Sequence, residues 1–167
     1  MVGGYLVDQH EKDHTDCPSM SPMTPAPITV YIVDDEPTVR RALARLVTSA
    51  GMRAQVFPSV PALIELSGLA HCACVISDIR MPEVSGLELP GLLARRGHSL
   101  PVIFVTAYDS KQNREAASRS GAVAFFHKPI DGQALLDAIA WAVEGARNGT
   151  SREPEPLTDP PNRGNAQ

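Results

Sequence analysis

The sequence lacks the features that would place the protein in a membrane, outside the cell or on nucleic acid. The opening MVGGYLVDQHEKDHTDCPSM has no cationic start and no apolar core of signal-peptide length, and no stretch of about 18 residues is apolar throughout. No run of Lys or Arg occurs, and the formal net charge of −4 gives no electrostatic footprint for nucleic-acid phosphates. We therefore expect a cytoplasmic protein that binds neither a membrane nor, by this chain alone, nucleic acid.

Cysteine is also scarce, with an odd count of three. Cys72 and Cys74 are two positions apart in an apolar run that is typical of a strand, so their side chains point to the same face. The run offers neither the helix nor the loop that would form a metal site from them. We interpret both as small core residues.

The two ends of the chain are poor in apolar residues and rich in proline and charge. Such segments cannot bury enough apolar surface to offset the entropy lost on ordering. We therefore expect a disordered N-terminal extension at 1–27, one folded domain at 28–145 and a disordered C-terminal tail at 146–167.

Between the tails, short apolar runs alternate with segments whose apolar residues recur at helical spacing. The first run, ITVYIV, is typical of a strand buried on both faces. The predicted strands are 28–33, 53–57, 72–77, 101–105 and 123–127, and the predicted helices are 37–50, 61–66, 87–96, 110–120 and 132–143. Five βα units predict an α/β fold, a doubly wound five-stranded parallel sheet with helices on both faces.

Polar residues follow four of these strands. In open parallel sheets, ligands bind beyond the carboxyl ends of the strands, where the winding direction reverses. Asp34 and Asp35 follow the first strand, Asp78 the third, Thr106 the fourth and Lys128 the fifth. Each alone could be a helix cap, a loop residue or a solvated charge, but their agreement at four strand ends favours one shared site.

This combination of side chains suits phosphoryl transfer to a carboxylate. Neighbouring carboxylates repel one another, which raises a pKa or requires a cation, and Mg²⁺ prefers such oxygen ligands. With the metal bound, Asp78 can be the nucleophile that forms an aspartyl-phosphate, while Thr106 and Lys128 hold the phosphoryl oxygens. No general base is needed, because a carboxylate is already deprotonated at neutral pH.

Four segments, in order, resemble the receiver domain of two-component response regulators: VYIVDDEP, SDIRMPEVSG, VIFVTAYD and GAVAFFHKP. DIRMP and SGLEL look most like receivers of the FixJ type, which often precede a LuxR-type DNA-binding module. The resemblance extends over about 28–145 and implies a flavodoxin-like (βα)5 fold with strand order 2-1-3-4-5.

The resemblance also implies roles for the strand-end residues. Asp78 would accept a phosphoryl group from a histidine kinase or phosphotransfer protein, and Thr106 and Lys128 would sense it. A cis peptide is implied between Lys128 and Pro129, where proline lowers its usual cost. The implied Mg²⁺ ligands are Asp34, Asp35, Asp78 and the backbone carbonyl of Arg80.

A conformational switch is implied as well. In the family, the strand-end threonine moves toward the phosphoryl group and an aromatic residue three positions before the lysine turns inward. Here that residue is Phe125, which has no hydroxyl and would act through packing, whereas Phe126 points to the opposite face of the strand as a core residue. The movement would reshape the face formed by the fourth helix, fifth strand and fifth helix, where a downstream protein or a second copy binds.

Helical spacing gives one inference that does not depend on the family. In the last helix, Ala134, Ala138 and Trp141 align on the side opposite the apolar face. That face is formed by Leu135, Leu136, Ile139, Ala140 and Val143. An indole exposed beside small residues suits a docking or dimer surface, because Trp is enriched at binding hot spots; the alternative is a Trp partly covered by the C-terminal tail.

Two bulky residues flank the path by which water would attack a phosphoryl group on Asp78. Arg80 lies two positions after Asp78, and Tyr108 lies two positions after Thr106. If they exclude water, the phosphoryl state is long-lived; the alternative is that both merely fill the surface.

Other functional classes fit less well. A phosphatase or mutase of the haloacid dehalogenase type needs a second Asp two residues after the nucleophile, where Arg80 stands, so we do not expect an enzyme. A receiver used only as an unphosphorylated interaction module would not need every phosphorylation position filled. The polar tail favours a stand-alone receiver over the receiver half of a truncated LuxR-type transcription factor, although a shortened linker would look similar.

Overall fold

The computed structural model describes residues 26–149. In this part of the chain, five parallel strands form one sheet in the order β2-β1-β3-β4-β5, which confirms the predicted doubly wound α/β fold. The strands are β1 Thr29–Val33, β2 Arg53–Phe57, β3 Ala73–Ser77, β4 Val102–Thr106 and β5 Ala124–His127. The segments expected to be disordered lie almost entirely outside the described residues.

Five helices connect and follow the strands. They are α1 Pro37–Ser49, α2 Val60–Ile64, α3 Leu89–Arg95, α4 Lys111–Arg119 and α5 Gly132–Arg147, and a 3₁₀ turn, Gly86–Glu88, precedes α3. Side chains of Ser59, Ser110 and Asp131 accept hydrogen bonds from backbone N–H groups in the first turns of α2, α4 and α5. These caps explain why α2 begins one residue earlier than predicted and why Ser110 precedes α4.

The sheet separates two apolar cores because successive strand residues point to opposite faces. On one face, Val30 and Ile32 of β1 pack with residues of α1 and α5. On the other, Tyr31 and Val33 of β1 pack with residues of α2, α3 and α4. Every residue of β1, β3 and β4 is buried, so the charged residues that follow these strands lie at the end of a rigid platform.

Burial on both faces does not extend to the two edge strands. In β2, three of the residues are exposed, and Val56 has 47% of its surface exposed. Only one neighbouring strand and fewer helices cover an edge, so an apolar residue there stays accessible. The side chains of β5 are mostly half-buried for the same reason.

Cys72 and Cys74 occupy the same core cluster, as interpreted from their spacing. Cys74 is fully buried, and burial raises the pKa of its thiol to about 12. A thiol in that environment is chemically inert at neutral pH.

The apolar face of α5 was assigned wrongly at one position. Ala140 is exposed, whereas Ala142 is buried with Leu135, Ile139 and Val143. At 100° per residue, Ala140 lies more than a quarter turn from the centre of this buried face. None of the helices among residues 26–149 is long and apolar enough to span a membrane.

Candidate functional site

Backbone hydrogen bonds continue past the strand ends and bring the expected site residues to one rim. The Asp34 N–H donates to the Phe57 carbonyl at 3.2 Å, and the Asp78 N–H donates to the Val33 carbonyl at 3.0 Å. Because Val33 is in register with Ser77, Asp34 and Asp78 follow paired residues of β1 and β3.

Three carboxylates gather at this rim. Asp34, Asp35 and Asp78 each offer one oxygen, and these oxygens lie within 4.8 Å of one another. Asp34 is buried, Asp78 is half-buried and Asp35 is exposed, so the cluster opens toward solvent on one side. Hard oxygen donors in a partly open cluster fit Mg²⁺, which keeps several of its own waters.

Lys128 reaches the same cluster from the end of β5. Its N–H donates to the Thr106 carbonyl at 2.9 Å, and its Nζ lies 3.0 Å from Asp34 Oδ2 and 3.6 Å from Asp78 Oδ2. Burial disfavours the charged ammonium, but the hydrogen bond and the charges of Asp34 and Asp78 outweigh it, so the pKa of Lys128 is raised. Three carboxylates and one ammonium leave a formal charge of −2, which a divalent cation would balance.

Asp78 is a carboxylate of this cluster whose pKa is raised. Burial raises the pKa of its carboxyl most strongly; the Lys128 ammonium opposes this, and repulsion from Asp34 adds to the rise. The Arg80 N–H donates to Asp78 Oδ1 at 3.3 Å and so holds the carboxylate from the loop side. The role implied for the Arg80 carbonyl stays a prediction.

Two residues near Asp34 and Asp78 were not singled out from the sequence. Arg40, one turn into α1, donates from Nη1 to the Asp34 carbonyl at 2.6 Å. Gly86 closes the loop after β3: its N–H donates to the Ile79 carbonyl at 3.0 Å, and a Cβ on it would lie only 1.9 Å from the Asp78 carbonyl oxygen. A glycine at the end of the SDIRMPEVSG turn was the only sequence signal for this close approach.

The side chain of Thr106 is hydrogen-bonded to the backbone of the loop that follows it. Thr106 is fully buried, and its Oγ1 accepts a hydrogen bond from the Tyr108 N–H at 3.1 Å. The guanidinium carbon of Arg80 lies 4.1 Å from the centroid of the Tyr108 ring. The two positions expected to flank the site therefore stack on each other and join the loops after β3 and β4.

The aromatic pair of β5 divides between the two faces of the sheet as expected. Phe125 packs against the core on the α4 side, and Phe126 against the core on the α5 side. Both are half-buried. The peptide bond between Lys128 and Pro129 is cis, as the resemblance implied.

The predicted docking residues on α5 lie away from this site. Trp141 has 57% of its surface exposed and lines a groove with Leu100, Pro101 and Val123. These residues precede β4 and β5, so the groove is at the amino-terminal edge of the sheet, opposite Asp78. Ala134 is exposed on the same side of α5 as Trp141. Ala138 is half-buried and packs against the core.

Comparison with known proteins agrees with the fold. A family model described as the response regulator receiver domain matches residues 30–140. The chain therefore belongs to the family of response regulator receiver domains, the signal-receiving modules of two-component systems.

Individual relatives match the same region. The chain is 38% identical over 126 residues to response regulator protein TmoT of Ectopseudomonas mendocina, covering 75% of this chain and 57% of TmoT. It is 33% identical over 115 residues to transcriptional regulatory protein FixJ of Azorhizobium caulinodans, covering 69% of this chain and 54% of FixJ. A crystal structure of FixJ-N superposes with a TM-score of 0.65 at 32% identity, over 70% of this chain and 94% of that one. The chain thus spans about half the length of the curated relatives it matches.

Proposed function

We propose that the protein is a phosphorylation-dependent switch of a two-component system, in which Asp78 accepts a phosphoryl group from a histidine kinase or phosphotransfer protein. The observation that carries this proposal is the cluster of three carboxylates within 4.8 Å with the Lys128 ammonium beside Asp34 and Asp78. Phosphorylation and Mg²⁺ are general features of the family to which the chain belongs. The chain then serves as a phosphoacceptor and not as an enzyme, and we place it in the cytoplasm with its kinase.

In the transfer step, one carboxylate oxygen of Asp78 forms a bond to phosphorus. The bond from phosphorus to the donor atom breaks, and the leaving group takes its electron pair. Asp34, Asp35, Asp78 and the Arg80 carbonyl would hold Mg²⁺, which when bound supplies positive charge that offsets the carboxylates and the phosphoryl oxygens.

Lys128 and Thr106 stabilise the charge that arrives with the phosphoryl group. The ammonium of Lys128 is already within 3.6 Å of Asp78 Oδ2, so a small movement brings it to a phosphoryl oxygen. The hydroxyl of Thr106 would donate to another phosphoryl oxygen. Because Thr106 Oγ1 accepts a hydrogen bond from the Tyr108 N–H, movement of the Thr106 side chain would also move the loop after β4.

The output is a change in the face formed by α4, β5 and α5. Phe125 lies half-buried on this face and would turn inward, altering the shape that a downstream protein or a second copy of the chain contacts. The exposed Trp141 at the far end of α5 extends this proposed surface. The stack of Arg80 on Tyr108 would shield the phosphoryl group from water and prolong the active state.

Two arrangements of the whole protein are compatible with this function. The first is a stand-alone receiver that acts through protein contacts. The second candidate is the receiver half of a LuxR-type transcription factor, because the relatives include a transcriptional regulatory protein of which the chain matches about half. The length of the native gene product, measured by intact mass from its own cell, separates them.

The proposal is tested by incubating the protein with Mg²⁺ and acetyl phosphate and measuring intact mass. We expect a gain of one phosphate that is lost with EDTA and in Asp78→Asn. Asp137→Asn, which removes an exposed carboxylate of the fifth helix outside the cluster, is the matched control and keeps the gain. No gain in the wild-type protein would overturn the proposal and would favour an interaction module that is not phosphorylated.

A further inference from the structure

Side chains of α4 fasten the loop that connects β4 to α4. The Asn113 amide donates to the Tyr108 carbonyl at 2.8 Å. Arg114 donates from Nε to Asp109 Oδ1 at 2.6 Å and from Nη2 to Asp109 Oδ2, which makes a two-pronged contact with one carboxylate. The loop after Thr106 is therefore tied to α4 by more than its backbone.

The same guanidinium lies over the aromatic ring of β5. The Cζ of Arg114 is 5.9 Å from the centroid of the Phe125 ring, within cation–π range. The side chains of Arg114 and Asp109 are only 36% and 27% exposed. Arg114 thus contacts, at once, the loop that follows Thr106 and the aromatic residue expected to switch.

A second ion pair on α4 provides a contrast. Arg119 Nη2 lies 3.2 Å from Glu115 Oε2, but the two side chains are 78% and 46% exposed and are four residues apart on one helix. A pair of that kind contributes little and joins no second element. Only the Arg114 contact, of these two, spans loop, helix and strand.

The Asp109 carboxylate and the Phe125 ring, which Arg114 contacts, would each change position when Asp78 is phosphorylated. Thr106 would move toward the phosphoryl group and would carry Tyr108 and Asp109 along the loop. Phe125 would turn inward, away from the guanidinium. These two contacts of Arg114 would not both persist through the two movements, so they would be specific to the unphosphorylated conformation.

We propose that Arg114 is a positioning residue whose two-pronged contact with Asp109, made while it covers Phe125, favours the unphosphorylated conformation of the α4 and β5 face. This inference rests on the proposed function and specifies how the same site is regulated. By linkage, whatever favours the unphosphorylated conformation weakens the binding of a phosphoryl group or its analogue by the same factor. Releasing the contact therefore strengthens that binding.

Beryllofluoride with Mg²⁺, which imitates a phosphoryl group on an aspartate, provides the test. The chain has four phenylalanines, so 4-fluorophenylalanine labelling gives four ¹⁹F signals, and Phe125→Leu identifies that of Phe125. In Arg114→Gln and in Asp109→Asn, we expect the titration midpoint to fall roughly two- to fivefold, the range for a partly exposed ion pair. The ligand-free Phe125 signal should also shift toward its ligand-bound position.

Further variants separate this role from a general loss of structure. The double variant Asp109→Asn/Arg114→Gln should titrate like either single variant, and the exchanged pair Asp109→Arg/Arg114→Asp should return toward wild type. Arg119→Gln on the same helix should titrate like wild type. A variant that is merely damaged would bind beryllofluoride more weakly, not more tightly.

The outcomes distinguish this inference from the proposed function. If wild type responds to beryllofluoride but Arg114→Gln and Asp109→Asn titrate like wild type or more weakly, the positioning role is wrong and the phosphoacceptor proposal stands. If wild type gives no response at all, both are overturned.

Discussion

The carboxyl-terminal ends of the five strands form one edge of the sheet, and their amino-terminal ends form the opposite edge. The two edges carry different kinds of side chain. At the carboxyl-terminal edge, Asp34 follows β1 and Asp78 follows the neighbouring β3. The ammonium of Lys128, which follows β5, reaches both carboxylates, and all three side chains are largely buried. At the amino-terminal edge, Trp141 lines a groove with apolar residues that precede β4 and β5 and with the single carboxylate of Glu144. Parallel strands bring every carboxyl end to one side, so only that edge can gather the charged strand-end residues.

The difference between the two edges indicates that the charged residues at the carboxyl-terminal edge lower the stability of the fold. Burial, and after it repulsion from Asp34, raises the pKa of the Asp78 carboxyl, so its ionised form disfavours folding in the absence of a cation. Among the described residues that line the groove around Trp141, Glu144 is the one carboxylate. Substitutions at the two edges should therefore have different consequences, and five comparisons test this.

The largest effect is expected from removing the ammonium at the carboxyl-terminal edge. Lys128→Gln should slow phosphorylation by acetyl phosphate by roughly 100-fold, the usual result of losing one donor to a developing charge. The rate is followed by intact mass. Lys111→Gln, which changes a 90% exposed lysine in a 3.9 Å ion pair, is the matched control and should leave the rate unchanged; equal slowing in both would contradict a specific role for Lys128.

Gly86 gives a comparison within one segment of chain. A Cβ there would collide with the Asp78 carbonyl oxygen at 1.9 Å, whereas a Cβ on Gly91 in α3 meets nothing within 4 Å. We expect Gly86→Ala to lower the free energy of unfolding by about 1–3 kcal/mol and Gly91→Ala to raise it by about 0.5–1 kcal/mol. Urea unfolding measures both free energies. An unchanged free energy of unfolding in Gly86→Ala would show that the loop can adopt another path past the Asp78 carbonyl.

The raised pKa of Asp78, caused mainly by burial, predicts a pH dependence of stability. Its folded-state pKa is raised above the ordinary value of 3.8, so ionisation of Asp78 opposes folding at high pH and is neutral below both values. In EDTA at pH 7, Asp78→Asn should therefore melt at a higher temperature than wild type, and the advantage should shrink as the pH falls toward 3.8.

Mg²⁺ should reverse this order. At a concentration 100 times its Kd, a ligand stabilises the folded state by about 2.7 kcal/mol, and Asp78→Asn removes one of the carboxylates that would bind the ion. Thermal unfolding with and without Mg²⁺ checks the reversal. An Asp78→Asn protein less stable than wild type in EDTA would mean that the ionised Asp78 carboxylate does not oppose folding.

The stack between Arg80 and Tyr108 should affect how long the phosphoryl group survives. An exposed cation–π contact contributes about 0.5–1 kcal/mol, so Arg80→Ala and Tyr108→Ala should each shorten the half-life roughly two- to fivefold. Tyr108→Phe keeps the ring and should behave like wild type. Loss of phosphate from the purified phosphorylated protein gives the half-life, and unchanged decay in both alanine variants would reduce the stack to surface packing.

The smallest effect is expected at the amino-terminal edge. Trp141→Ala should change the free energy of unfolding by less than about 0.5 kcal/mol, as exposed substitutions do, and should leave the rate of phosphorylation unchanged. Sedimentation before and after phosphorylation asks whether Trp141 contributes to self-association. Slower phosphorylation in Trp141→Ala would show that the two edges are coupled.

Much of the fold could be predicted because apolar spacing and strand direction are properties of the chain itself. The five βα units placed Asp34, Asp78 and Lys128 at one edge before any distance was known, and the structure brings them together. The family resemblance supplied the cis bond after Lys128, which spacing alone would not indicate.

Contacts between separate loops could not be predicted in this way. The collision that Gly86 avoids depends on the path of the loop back to Asp78, and the contacts of Arg114 depend on where α4 begins relative to β5. The exposure of β2 depends on its position at the sheet edge, which local hydrophobicity does not reveal. The error at Ala140 arose because an alanine fits either side of a helix, and packing alone decides which side is buried.

The most direct test of the central claim is to locate the phosphoryl group chemically. Reduction of the phosphorylated protein with borohydride converts an aspartyl-phosphate to homoserine, which peptide mass spectrometry assigns to a position. We predict homoserine at position 78, dependent on Mg²⁺. Homoserine at Asp34 or Asp35 instead, or at no position, would contradict the account.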